Sequence, residues 1–169
     1  MSGNINTILH AHNRAKEKLE PFFKNPDKLE FEILLQFLFY RSFSLFKCDP
    51  DLASDFWYRV NGEIVGEYGE NDFSDFGVLR EKRFKEYDPL YDALIMTDLM
   101  RHGQPSKDET ESKIVGMWGL TVFPSIDKET PLEIEKLIQF PNLCNLAHSI
   151  HMAGITGIYD FNNDEIKGI

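Results

Sequence analysis

From Phe31 to Phe46 the chain reads Phe-Glu-Ile-Leu-Leu-Gln-Phe-Leu-Phe-Tyr-Arg-Ser-Phe-Ser-Leu-Phe. Wound into a helix, this run is apolar on almost every side, so the rest of the protein must surround it. It is too short to cross a bilayer, and Glu32, Gln36 and Arg41 interrupt it. The spacing predicts a buried central helix, opened by Asn25-Pro26-Asp27 and ending near Phe46.

A chain of 169 residues is the length of one domain, so residues 1–169 are expected to form a single globular unit. Upstream of the core helix, Ile8, Leu9, His12, Ala15, Leu19, Phe22 and Phe23 recur at three- and four-residue spacing and predict an amphipathic helix over 5–24. Asp49-Pro50-Asp51 repeats the helix-start signal. Residues 56–68 then resemble a β-hairpin, with Asn61-Gly62 suited to a tight turn between aromatic and β-branched flanks. The competing reading carries a helix to Val60 and stops it at Gly62. Gly69 to Gly77 reads as a polar loop.

Asp88-Pro89 opens a further predicted helix that stops at Gly103, and Gln104 to Glu111 is a polar linker. Lys113 to Phe123 reads as extended, because two glycines punctuate β-branched and aromatic residues. Thr130-Pro131-Leu132-Glu133 is a capping box for a helix ending before Pro141, and a last helix is expected from Pro141 or Asn142 to Ala153. The expected fold is α+β: one domain, mostly helical, with a small antiparallel hairpin or sheet.

Charge is unevenly distributed. Residues 1–48 hold seven bases and five acids, net +2, whereas residues 49–80 hold two bases and eight acids, net −6, within a total of −10. Such a balance disfavours nucleic acid and anionic membrane as partners, since phosphate binding needs Lys and Arg. Woven through the acidic stretch are Phe56, Trp57, Tyr58, Tyr68, Phe73 and Phe76. Carboxylates beside large rings suit the grip of a basic, partly apolar protein surface. The expected partner-binding residues are Asp55, Trp57, Tyr58, Glu63, Glu67, Tyr68, Glu70, Asp72 and Asp75. The expected function is a non-catalytic acidic binding protein that neutralises a basic protein, for example a nuclease toxin, as an immunity protein or antitoxin does. No catalytic residue and no cofactor are implied.

An alternative centres on Cys144, His148 and His151, which share one face of the predicted last helix and belong to residue types that ligate zinc or act as nucleophile and base. His10 or His12 would be needed as a fourth ligand. Among Leu143, Leu146, Ala147 and Ile150, these three also suit a plain core face. A third alternative is a small-molecule sensing domain with an aromatic core.

Arg101-His102-Gly103 resembles the signature of histidine phosphatases, which in that family follows the first strand. At a helix end it serves instead as a basic last turn with a glycine stop. Asp160-Phe-Asn162-Asn-Asp164 copies the start of an EF-hand loop but has Glu165 where glycine belongs, so a polar turn is expected. Two cysteines, Cys48 and Cys144, with no basic segment leading into an apolar run at the start, predict a cytoplasmic protein.

Overall fold

A computed structural model describes residues 3–160 and 165–166, the side chains of 70–72 and 165–166 excepted. Seven α-helices make up the described chain: α1 Ile5–Leu19, α2 Lys28–Leu45, α3 Pro50–Tyr68, α4 Glu70–Ile95, α5 Asp98–His102, α6 Glu109–Ile126 and α7 Ile134–Thr156. A 3-10 turn, Glu20–Phe22, follows α1. After α7, β1 (Tyr159–Asp160) pairs antiparallel with β2 (Glu165–Ile166) over two residues each, too few to form a layer. About 80% of the chain is helical, which corrects the expected α+β class to an all-helical one.

The hairpin expected at 56–68 lies wholly inside α3. Its Phe56, Val60 and Ile64 recur every fourth residue and are all buried. That stripe stabilises the helix more than Asn61-Gly62 favours a turn, because propensity is a weaker force than burial. The extended segment expected at 113–123 is likewise helical, in α6. Val115, Trp118, Gly119, Val122, Phe123 and Ile126 supply a buried helical stripe there. Gly69–Gly77 is mostly the first turns of α4 rather than a loop.

Prolines mislead in the same direction. Pro89, Pro124 and Pro141 lie within α4, α6 and α7, so the helix expected to open at Asp88 and the two expected to divide at Pro141 are each continuous through the proline. A mid-helix proline costs roughly 3 kcal/mol, which a long buried face on either side offsets. The capping box at Thr130 opens no helix: Thr130 donates its hydroxyl to Asp127, and α7 begins only at Ile134. Asp49 caps α3 with Pro50 at its first position, as expected. For α2 the cap is Asp27, which accepts from Leu29 and Glu30 N–H. Gly103, left-handed at φ 69°, ends α5 after Arg101 and His102. Of the expected polar turn at 160–164, residues 161–164 lie outside the described chain.

α2 is the central element. Phe31, Leu34, Leu35, Phe37 and Leu38 enter the larger core cluster, while Ile33 and Phe39 enter a second one with Ile8, Phe56, Val60, Ile64 and Phe76. Serving two cores explains a helix with no polar face. Glu30, Gln36 and Arg41 of α2 each meet a partner on α4. Glu30 accepts from Arg83 Nε and Nη2 at 2.9 and 2.7 Å, Gln36 Oε1 accepts from Arg80 at 2.9 Å, and Arg41 donates to Asp88 and Asp92 at 3.0 and 2.5 Å. Ser42 turns instead toward α7.

α1 and α7 approach closely because small residues line the contact. A β-carbon on Gly154 would fall 2.6 Å from Ala11 Cβ and 2.9 Å from Thr7 O. Thr7 Oγ1 donates to Gly154 O at 3.0 Å, and Gly3 N–H to Ile155 O at 2.8 Å.

Candidate functional site

A buried chain of polar groups links α2, α4 and α7. Tyr91 OH lies 2.5 Å from His148 Nε2, His148 Nδ1 lies 2.6 Å from Ser42 Oγ, and His151 Nδ1 lies 3.0 Å from the same oxygen. Ser42 Oγ is also 3.0 Å from Leu38 O. Counting donors assigns the tautomers. Burial pushes the Tyr91 hydroxyl well above its ordinary pKa, so it stays protonated and donates to His148 Nε2. His148 then carries its proton on Nδ1 and donates to Ser42. Ser42 donates to Leu38 O and, with two lone pairs, accepts from both imidazoles. His151 Nε2 is left as a lone pair with no hydrogen-bond partner among the described residues.

Burial lowers both imidazoles: His148 to about 4, helped by the charge of Arg41, and His151 well below its ordinary value, helped by His12 and His148. Both are therefore neutral near pH 7. Removing their shared acceptor by Ser42→Ala leaves two buried N–H groups unsatisfied, a loss of about 2 kcal/mol in urea unfolding. Unchanged stability would refute the tautomers assigned above.

Cys144, His148 and His151 do share the buried face of α7, as the sequence predicts. Burial pushes the Cys144 thiol up to about 12, so it is not a thiolate near neutral pH. Among the described residues, no three His, Cys, Asp or Glu converge in a way that could hold a metal ion. Cys48 and Cys144 are both free thiols.

Beyond His151 the polar residues continue to the surface. His12 stacks on His151 with ring centroids 6.2 Å apart, and its Nε2 lies 3.6 Å from Glu32 Oε1. Both line a cleft of about 510 Å³ formed by α1, α2 and α3. Each helix contributes a pair one turn apart: His12 and Lys16, Lys28 and Glu32, Glu63 and Glu67. Val60 and Ile64 form an apolar strip between them, and Tyr68 and Glu20 complete the margin. Burial, and then the negative charge of Glu67, Asp27 and Glu32, raises the Tyr68 hydroxyl pKa. Glu20, Glu63 and Glu67 are exposed and form no ion pair with a described residue.

The expected partner-binding residues thus separate into groups. Glu63, Glu67 and Tyr68 come together at the cleft. Tyr58 is 80% exposed on the outer side of α3, near the Asp55–Arg59 pair at 3.8 Å. Trp57 is half-buried against Phe43 and Phe56, with ring centroids at 5.8 and 5.0 Å. Asp75 is exposed on α4, and Glu70 and Asp72 belong to its first turn, where side chains are not described. Phe56 and Phe76 are core residues.

Sequence reasoning missed Glu32, Lys16 and Lys28 as cleft residues, and Ser42 and Tyr91 as partners of the buried histidines. A signal was present: Glu32 and Ser42 are polar residues inside a run that must be buried, and such groups need partners. No family model, curated protein or solved structure matched this chain.

Proposed function

We propose that this chain is a non-catalytic, cytosolic binding protein that neutralises a basic protein partner, in the manner of an immunity protein or antitoxin facing a nuclease toxin. The observation that carries this reading is the row of exposed, unpaired carboxylates along one edge of α3. Glu63 and Glu67 stand a turn apart beside Tyr68, with Glu20 and Glu32 across the cleft. Carboxylates with no ion pair to a described base are free to pair with a partner's Lys or Arg, and they steer its approach. Asp75 on α4 is a further exposed carboxylate, apart from the cleft. No described helix is long and apolar enough to cross a membrane.

The enzyme alternative loses support from Cys144, a buried thiol with a raised pKa, while His148 and His151 bond Ser42 instead. The small-molecule alternative draws on the cleft.

The test is capture and inhibition of purified basic ribonucleases and DNases, including the product of the adjoining gene. Glu63→Lys with Glu67→Lys is expected to weaken capture tenfold or more at low salt, leaving the melting temperature unchanged because both positions are exposed. Inhibition that survives the double reversal, or no binding across the panel, would refute the proposal.

A further inference from the structure

We infer that the cleft between α1, α2 and α3 is a binding site for an organic cation, an alkylammonium or guanidinium group whose charge rests between Glu32 at the floor and Glu63 and Glu67 at the mouth. Its volume of about 510 Å³ is within the range of small-ligand sites. Four carboxylates and two lysines line it, a local net charge of −2. Lys16 and Lys28 form no ion pair with those carboxylates, so they do not neutralise it.

The floor is under-satisfied. The Glu32 side chain is only 16% exposed, yet its contacts are long: His12 Nε2 at 3.6 Å and Gln36 Nε2 at 3.5 Å. A carboxylate can accept about four hydrogen bonds, and these two long contacts leave most of that capacity of Glu32 open to a ligand. His12 beside it is 4% exposed, and its Nδ1 has no hydrogen-bond partner among the described residues. A planar guanidinium or an ammonium brings the several N–H donors that Glu32 lacks. Val60 and Ile64 offer an apolar strip for its alkyl stem, and the Tyr68 ring borders the mouth where a cation gains from an aromatic face. An anion would meet the same −2 and be repelled.

This inference rests on the anionic α3 edge described under the proposed function, and it names the chemical group that edge receives. The group could belong to a free metabolite or to an Arg or Lys side chain of a partner, and one titration series separates the two. Agmatine is added to the intact protein at low salt, followed by amide NMR and calorimetry. Saturable one-to-one binding is expected, with shifts at His12, Glu32 and Ile64, weakened roughly tenfold by Glu63→Gln with Glu67→Gln and by added salt. Glu32→Gln is expected to weaken it further, and its melting curve shows whether it remains folded. An arginine-rich peptide that displaces agmatine assigns the site to a partner's side chain; one that does not assigns it to a free cation. No saturable agmatine binding at millimolar concentration, or binding indifferent to all three substitutions, would overturn the inference. If agmatine binds while no basic protein is captured, only the partner reading falls. Should capture succeed without agmatine binding, only the cleft site falls.

Discussion

Lowering the pH from about 6.5 to 4 is expected to remove roughly 3 kcal/mol of folding stability through His148 alone. In the folded protein its pKa is about 4, against an ordinary 6.5, chiefly because burial penalises the imidazolium and secondarily because Arg41 repels it. Between those two values the unfolded chain takes up a proton that the folded chain refuses. Stability therefore rises with pH across the window, is fully present above the ordinary value, and is lost as acid is added. His151 is shifted in the same direction, by burial and then by His12 and His148, so proton uptake on unfolding approaches two.

The carboxylate Asp127 does not confuse the assignment. Burial pushes its pKa up, but Thr130 and the N–H groups of Asn25, Glu129 and Lys24 hold it down at about 2. Its contribution is lost only below its ordinary value of 3.8. Urea unfolding monitored from about pH 7.5 to 4.5 reads the slope directly. A stability that stays flat from about pH 6.5 to 5 would show that the two imidazoles are not held neutral.

Gly154→Val is expected to cost about 3 kcal/mol, at the upper end for overpacking. The site allows no relief: a β-carbon there meets Ala11 Cβ at 2.6 Å and the backbone oxygen of Thr7 at 2.9 Å. Relaxing those contacts means separating α1 from α7, and the same movement strains the Thr7–Gly154 and Gly3–Ile155 hydrogen bonds. Replacing a helical glycine by valine is favourable by propensity alone, by roughly a few tenths of a kcal/mol, and the steric term outweighs it. Gly62→Ala isolates the propensity term. Gly62 is exposed in the interior of α3, and an added β-carbon touches nothing within 4 Å. That variant is expected to be more stable by about 0.5–1 kcal/mol. If Gly62 instead served a turn, as Asn61-Gly62 suggests locally, the alanine variant would be destabilised. Thermal and urea unfolding of the two variants side by side checks both signs.

The same two glycines show how far local chemistry carried. Gly62 follows asparagine between aromatic and β-branched residues, and every local preference there points to a hairpin. Only the burial of Phe56, Val60 and Ile64 against α1 and α2 makes α3 continuous. The stripe was legible as a four-residue spacing, but its weight depended on what it packs against. Trp118 and Phe123 in α6, and the prolines inside α4, α6 and α7, follow the same rule.

The candidate site divides likewise. Glu63, Glu67 and Tyr68 were legible as charge beside a ring, whereas His12 and Glu32 come from α1 and α2 and reach the cleft only through folding. Cys144, His148 and His151 were legible as one helix face, but Ser42 and Tyr91, which bond His148, lie 106 and 57 residues from it along the chain.

What the amino-acid order determined unaided was set by short-range forces: a central helix with no polar side, the caps at Asp49 and Gly103, and an acidic middle third. Which helices meet, which glycine is a hinge of packing and which merely a weak helix former, and which acids share a cleft were decided by tertiary structure. Those outcomes depend on burial between residues distant in the chain, and burial outweighs local preference by several-fold per residue.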